Sequence, residues 1–137
     1  MTASPVATAV PRRPLPLARA AAASLVLAAG LACATPDAGA QREIDHLLDY
    51  IAASHCTFVR NGERYDAAQA REHLAMKLGF VRWRLSSADE FVKYLATESS
   101  VTHQPYLIAC GAQERPAGPW LTSELQHYRK AQNSAAR

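Results

Sequence analysis

No Gly-rich phosphate loop, no Gly-x-Ser-x-Gly elbow and no His-Glu-x-x-His pair occurs in this 137-residue sequence. The motif-borne routes to nucleotide binding, serine hydrolysis and zinc peptidase chemistry are therefore closed. Cysteine is scarce: Cys33, Cys56 and Cys110 are all there is. None has a partner at the short spacing of zinc ligands, so no metal is expected, and no cofactor motif is present. Long apolar runs are missing as well. The uncharged run from Ala20 to Ala34 falls short of the ~20 residues that span a bilayer, and no transmembrane segment is expected in the mature chain. Neither an internal repeat nor a linker divides the rest.

What that run does have is the layout of an export leader. Arg12, Arg13 and Arg19 precede it and small residues follow it, the order of a secretory signal. Two small-x-small sites are present: Ala38-Gly39-Ala40 would start the mature chain at Gln41, and Ala32-Cys33-Ala34 would start it at Thr35. The first is the favoured cut, giving residues 1–40 as a cleaved signal peptide, 41–132 as one domain and 133–137 as a disordered tail. Lipidation of Cys33 is less favoured, because Gly30 stands where a large aliphatic residue would be needed. The expected location is periplasmic or secreted.

Removing the leader also removes most of the basic balance. The chain carries +3, but three of its 15 Lys and Arg and one of its 12 Asp and Glu precede residue 41, which leaves +1. A nucleic-acid partner thereby loses its main support. The mature chain keeps Cys56 and Cys110, and an even pair in an oxidising compartment is most simply a disulfide. Closing a loop of that length is worth about 4 kcal/mol on the chain-entropy model.

Residues 56–85 organise the remainder. Asn61-Gly62 reads as a two-residue turn between Phe58-Val59-Arg60 and Glu63-Arg64-Tyr65. Asp66 with Gln69 three residues on forms a capping box, opening what should be the longest helix. Ala70, Leu74, Leu78, Val81 and Leu85 make one apolar stripe along it. Met76, Phe80 and Trp83 fall roughly opposite, so the helix is expected to be covered on both sides. Gly79 predicts a close approach of another element there. Before this core, Ile44, Leu47, Leu48 and Ile51 predict an amphipathic helix over about 42–54. After it, Ser87 and Glu90 predict a second capping box and a short helix to about Thr97. Tyr106 to Cys110 reads as a strand, 111–118 as a turn-rich connection, and Pro119 as the first residue of a last helix carrying Trp120, Leu121, Leu125 and Tyr128, frayed beyond Lys130. The fold class is α+β in the order α-β-β-α-α-β-α, with about three short antiparallel strands packed against helices.

Chemistry is thin. His46 and His127 are read as solvated, His55 beside Cys56 as pointing away from it, and His103 as lacking a nearby carboxylate. His73 and Lys77, one turn apart, form with Arg84 a basic flank between the two apolar faces. Truncating this flank should remove little packing. It could hold an anion or polar group, completed by Arg60 or by the hydroxyls of Ser99 and Ser100. The favoured function is a non-enzymatic module that binds a protein or envelope component. The rival is a small hydrolase-like enzyme using His73 and nearby carboxylates.

The run Cys56, Arg60-Asn61-Gly62, Tyr65, Ala70, His73-Leu74, Lys77, Phe91, Ser99-Ser100, Pro105-Tyr106 and Trp120-Leu121 resembles the YfeK-like proteins. These are small exported bacterial proteins classed as a domain of unknown function. The resemblance covers nearly all of residues 43–130 and implies a bacterial, periplasmic setting. It carries no activity, substrate or catalytic residue. One departure is His103, where the resemblance implies Gly after Ser-x-Ser/Thr.

Overall fold

The computed structural model describes residues 36–137. The apolar leader run and Cys33 lie outside the described residues. Helix α1 (Ala38–Ala53) starts earlier than its periodicity predicts, because the Asp37 carboxylate accepts a hydrogen bond from Ala40 N at 2.7 Å and caps it. Its buried residues are the predicted four, Ile44, Leu47, Leu48 and Ile51. Strands β1 (Thr57–Arg60) and β2 (Glu63–Tyr65) form the hairpin, in the register Phe58 to Tyr65 and Arg60 to Glu63. Asn61 (φ 53°) and Gly62 (φ 82°) both take positive φ, as the tight turn requires. Helix α2 (Ala67–Val81) opens on the complete Asp66–Gln69 capping box and ends in a single 3-10 turn (Arg82–Arg84). Helix α3 (Ala88–Phe91) starts at Ser87, whose hydroxyl accepts from Glu90 N, and widens into a π-helical segment (Val92–Ala96). Glu90 does not close the second box; its carboxylate accepts from Ser86 N instead, at 2.7 Å.

Strand β3 (Leu107–Ala109) pairs antiparallel with β1 rather than with β2, the strand before it in sequence, setting Thr57 against Ala109 and Phe58 against Ile108. One step further along that register Cys56 meets Cys110, and the two form a disulfide with Cα atoms 4.7 Å apart. A fourth strand, β4 (Glu114–Pro116), pairs with β3 where the sequence predicts only turns. All three of its residues are exposed and it ends in Pro, so it carries neither alternation nor apolar content. An edge strand of this kind is defined by its partner alone. The sheet order is β2-β1-β3-β4, entirely antiparallel, and the fold is α+β with one disulfide.

Helix α4 (Ala117–Ala135) is the longest described element at 19 residues against 15 for α2, and it continues to Ala135 instead of fraying after Lys130. It begins two residues before Pro119, which therefore sits inside the first turn, where the missing N–H costs nothing. Gly118 supplies the close approach expected of Gly79: a Cβ on Gly118 would fall 2.8 Å from Thr97 Oγ1, whereas one on Gly79 would meet nothing within 4 Å. The core joins α1, the inner stripe of α2, α3 with its π segment, Phe58 and Ile108 of the sheet, and Leu121 and Leu125 of α4. Ala70, Leu74, Leu78 and Leu85 are buried and Val81 is half-buried. The opposite face of α2 is uncovered: Met76 is 54%, Phe80 74% and Trp83 60% exposed. The expectation of a helix covered on both sides is wrong: α1, β1 and the π segment pack against α2, and what they bury is its inner stripe alone.

His46 is half-buried rather than freely solvated. Its Nε2 lies 2.7 Å from Glu124, and its ring stacks on Tyr128 with centroids 4.0 Å apart. Arg129 ties three helices at once, donating to Glu43 of α1 at 2.6 Å and to Asp89 of α3 at 2.7 Å. These bonds raise the Arg129 pKa further above its already high value. His103 takes φ 56°, the left-handed conformation in which Gly is strain-free, which gives a physical reason for Gly at this place in the loop. It also has the carboxylate the sequence did not reveal, Glu98 Oε1 at 3.0 Å from Nδ1.

Candidate functional site

A half-open cleft of about 450 Å³ lies between the hairpin, α2 and the start of α4. Its floor is apolar: Phe58, Ala70, Leu74, Ala96, Ala117 and Leu121. Its rim carries Arg60, Tyr65, Gln69, Glu72, His73 and Tyr106. Strand pleating explains Arg60 and Tyr65. The pairing of Phe58 with Tyr65 and Arg60 with Glu63 puts all four side chains on the hairpin face that looks toward α2. Helical spacing explains His73, which with Lys77 lies beside the buried stripe of Ala70, Leu74 and Leu78.

Arg60 is held by its own hairpin. Its Nη2 donates to Tyr65 Oη at 2.9 Å, Tyr65 Oη donates to Glu63 at 2.6 Å, and the guanidinium carbon lies 4.7 Å from the Tyr65 ring centroid. This aims Nη1 at His73, 2.7 Å from Nδ1 and 3.0 Å from Nε2. Arginine can only donate, so the shorter contact makes Nδ1 the acceptor and leaves Nε2–H facing Tyr106 Oη at 3.3 Å. That tautomer is the neutral imidazole. Burial and then the charges of Arg60 and Lys77 hold the His73 pKa below its ordinary 6.5, consistent with the same geometry. Tyr106 also accepts from Lys77 Nζ at 3.2 Å, and burial pushes its phenol pKa up, against a smaller opposing effect of Arg60.

Lys77 is a structural tie more than a solvated flank. Its ammonium donates to the carbonyls of Leu95 at 2.7 Å and Glu98 at 3.3 Å, closing the end of the π segment. Burial and Arg60 lower its pKa, while Glu98 opposes them. The remaining predicted site residues part company. Ser99 is buried, and its hydroxyl accepts from Val101 N and Thr102 N inside its own loop. Arg84 and Ser100 line a separate groove with Lys77. The cleft thus gathers Arg60 and His73, with Lys77 behind Tyr106, and leaves Arg84, Ser99 and Ser100 outside it.

Tyr65 and Tyr106 are the site residues sequence reasoning missed. Their signal was present: each shares a strand face with a core residue, and a phenol held against a core needs a polar partner. No group of three or more His, Cys, Asp or Glu able to hold a metal occurs among the described residues. Glu72 is the carboxylate on the cleft rim, and among the described residues no hydrogen bond joins it to His73. The arrangement can therefore donate hydrogen bonds around a fixed positive charge, above an apolar floor.

This α+β fold with its donor-rimmed cleft matches, over residues 38–129, the family of unknown function DUF5329, and the chain belongs to that family. Over 76 residues it is 37% identical to the uncharacterized protein YfeK of Salmonella typhimurium, an overlap of 55% of this chain and 63% of that protein. The chain thus spans less than two thirds of the length of that relative. No solved structure matches it. The likeness to YfeK-like proteins read from the residues is borne out.

Proposed function

We propose that this protein is an exported, non-enzymatic binding module whose cleft takes a small envelope ligand with an apolar body and an anionic head. The observation that carries the reading is the pairing of an apolar floor with Arg60, His73 and Tyr106 on the rim. A ligand tail would lie along the apolar floor, against Phe58, Ala70 and Leu74. Its head would take the guanidinium of Arg60, already oriented by Tyr65 and needing little reordering. The hydrolase-like rival needs a carboxylate to orient His73, and the ring nitrogens instead face Arg60 and Tyr106. Export rests on the leader layout and on the disulfide, which suits an oxidising compartment. The Asp37 cap favours the start at Thr35, since cutting before Gln41 would remove the cap with the first turn of α1.

Calorimetric titration with dodecanoate and with uncharged dodecanol tests the ligand class. Dodecanoate should bind more tightly by about tenfold or more, the worth of one charge-assisted hydrogen bond. Arg60→Gln should bring the two together. Saturable binding of neither compound, or a preference that survives Arg60→Gln, overturns the reading.

A further inference from the structure

Beyond the uncovered face of α2, the π segment carries another exposed ring, Tyr94 at 55%. Phe80 and Tyr94 border the groove that also holds Lys77 and Arg84. Cations are interleaved with the rings. The Arg84 guanidinium lies 5.4 Å from the Trp83 ring centroid, and Lys93 Nζ lies 5.0 Å from that of Tyr94. Carboxylates are engaged elsewhere. Between residues 76 and 94 they are Asp89 and Glu90. Asp89 is bound to Arg129 at 2.7 Å, and Glu90 accepts from Ser86 N at 2.7 Å and from its hydroxyl at 2.9 Å. Among the described residues, none of Lys77, Arg82, Arg84 and Lys93 is in an ion pair. The face is aromatic and cationic, and Glu90, already bonded to Ser86, is the carboxylate that feels Lys93.

We propose that this face docks on an anionic phospholipid surface. Amphipathic rings such as those of Trp83 and Tyr94 favour the headgroup level, where Phe80 would reach the acyl boundary. Arg84 and Lys93, which lie over the Trp83 and Tyr94 rings, would meet lipid phosphates beside them, each attracted within a Debye length of the surface. Charge complementarity selects this occupant: Arg84 and Lys93, set against the rings, require a field of negative charge, and the protruding rings require an apolar layer directly beneath it. The site is distinct from the cleft, so dodecanoate binding and membrane docking can each fail alone.

The test uses the full chain carrying Trp120→Phe, which leaves Trp83 as the sole indole, with vesicles whose acyl chains carry bromine as a contact quencher. Vesicles containing phosphatidylglycerol should quench Trp83, and phosphatidylcholine vesicles should not. This readout reports insertion at Trp83 itself, whatever else holds the chain to the vesicle. Replacing Arg84 and Lys93 with Gln should weaken the quenching isotherm by about fivefold per cation removed. Arg115→Gln with Lys130→Gln, which removes the same charge from β4 and α4, should leave it in place. Absence of quenching, equal quenching by both lipids, or equal loss from the two double variants overturns the proposal. Circular dichroism of each variant confirms that it is folded.

Discussion

Helix α2 and the turn that follows it carry two apolar rows with opposite fates. Ala70, Leu74, Leu78 and Leu85 are buried, while Met76, Phe80 and Trp83 stand more than half exposed. Residue chemistry does not distinguish the rows. What distinguishes them is supply: α1, β1 and the π segment pack against α2, and among the described residues they cover the inner row and leave the outer one exposed. Apolar character in a small fold therefore marks a surface that gains from being covered, not one that the chain itself covers.

The difference should be largest in stability. Leu78→Ala is expected to cost about 2–5 kcal/mol, the range for a buried leucine that leaves a cavity. Urea unfolding measures it, and a cost below 1 kcal/mol, well under that range, would break the comparison at its inner side. The inner row also depends on the sheet staying in place. Cys110→Ser should lower stability by about 2–5 kcal/mol, because β3 is joined to β1 far along the chain and both are short. The same loss should follow reduction of the wild-type protein, and free thiols in oxidised material with unchanged stability would defeat it.

Lys77 sits on the boundary between the rows. Lys77→Met keeps most of the stem but leaves the Leu95 and Glu98 carbonyls without their donor. A loss of about 1–2 kcal/mol is expected, intermediate between the two faces. His73, one turn earlier, should act through pH. Its folded pKa lies below 6.5, so as pH falls through 6.5 the unfolded chain takes the proton first and stability drops. The drop is complete once pH is below the folded pKa, and above 6.5 His73 adds no slope. A pH series of urea midpoints should show this in wild type and lose it in His73→Gln.

Much of this was legible in the sequence, for a physical reason in each case. The Asn61-Gly62 turn, the Asp66 cap, the inner stripe and the Cys56–Cys110 pair are all set by residues close in sequence or by a small number of possible partners. Strand β4 and the uncovered face were not, because both depend on what lies alongside. The candidate site divides in the same way. His73 and Lys77 were found through helical spacing, but the hand-off from Arg60 to His73 to Tyr106 needs β1, α2 and β3 in register, and only the fold supplies that. Arg84, Ser99 and Ser100 are near this flank in sequence terms and point to other places.

The smallest expected effect is the sharpest test of the outer row. Phe80→Ser should change unfolding stability by no more than about 0.5 kcal/mol, the usual range for an exposed position without special contacts. The relevant alternative is a second copy of the chain covering this face in solution. Burial in a dimer would give Phe80 a cost comparable to that of Leu78, and the wild-type melting temperature would rise with protein concentration. Phe80→Ser would then remove that concentration dependence. Thermal unfolding at two concentrations a hundredfold apart separates the cases. A midpoint that stays fixed in both proteins keeps the outer face uncovered in the free molecule, and the contrast between the two rows stands as an intrinsic property of one chain.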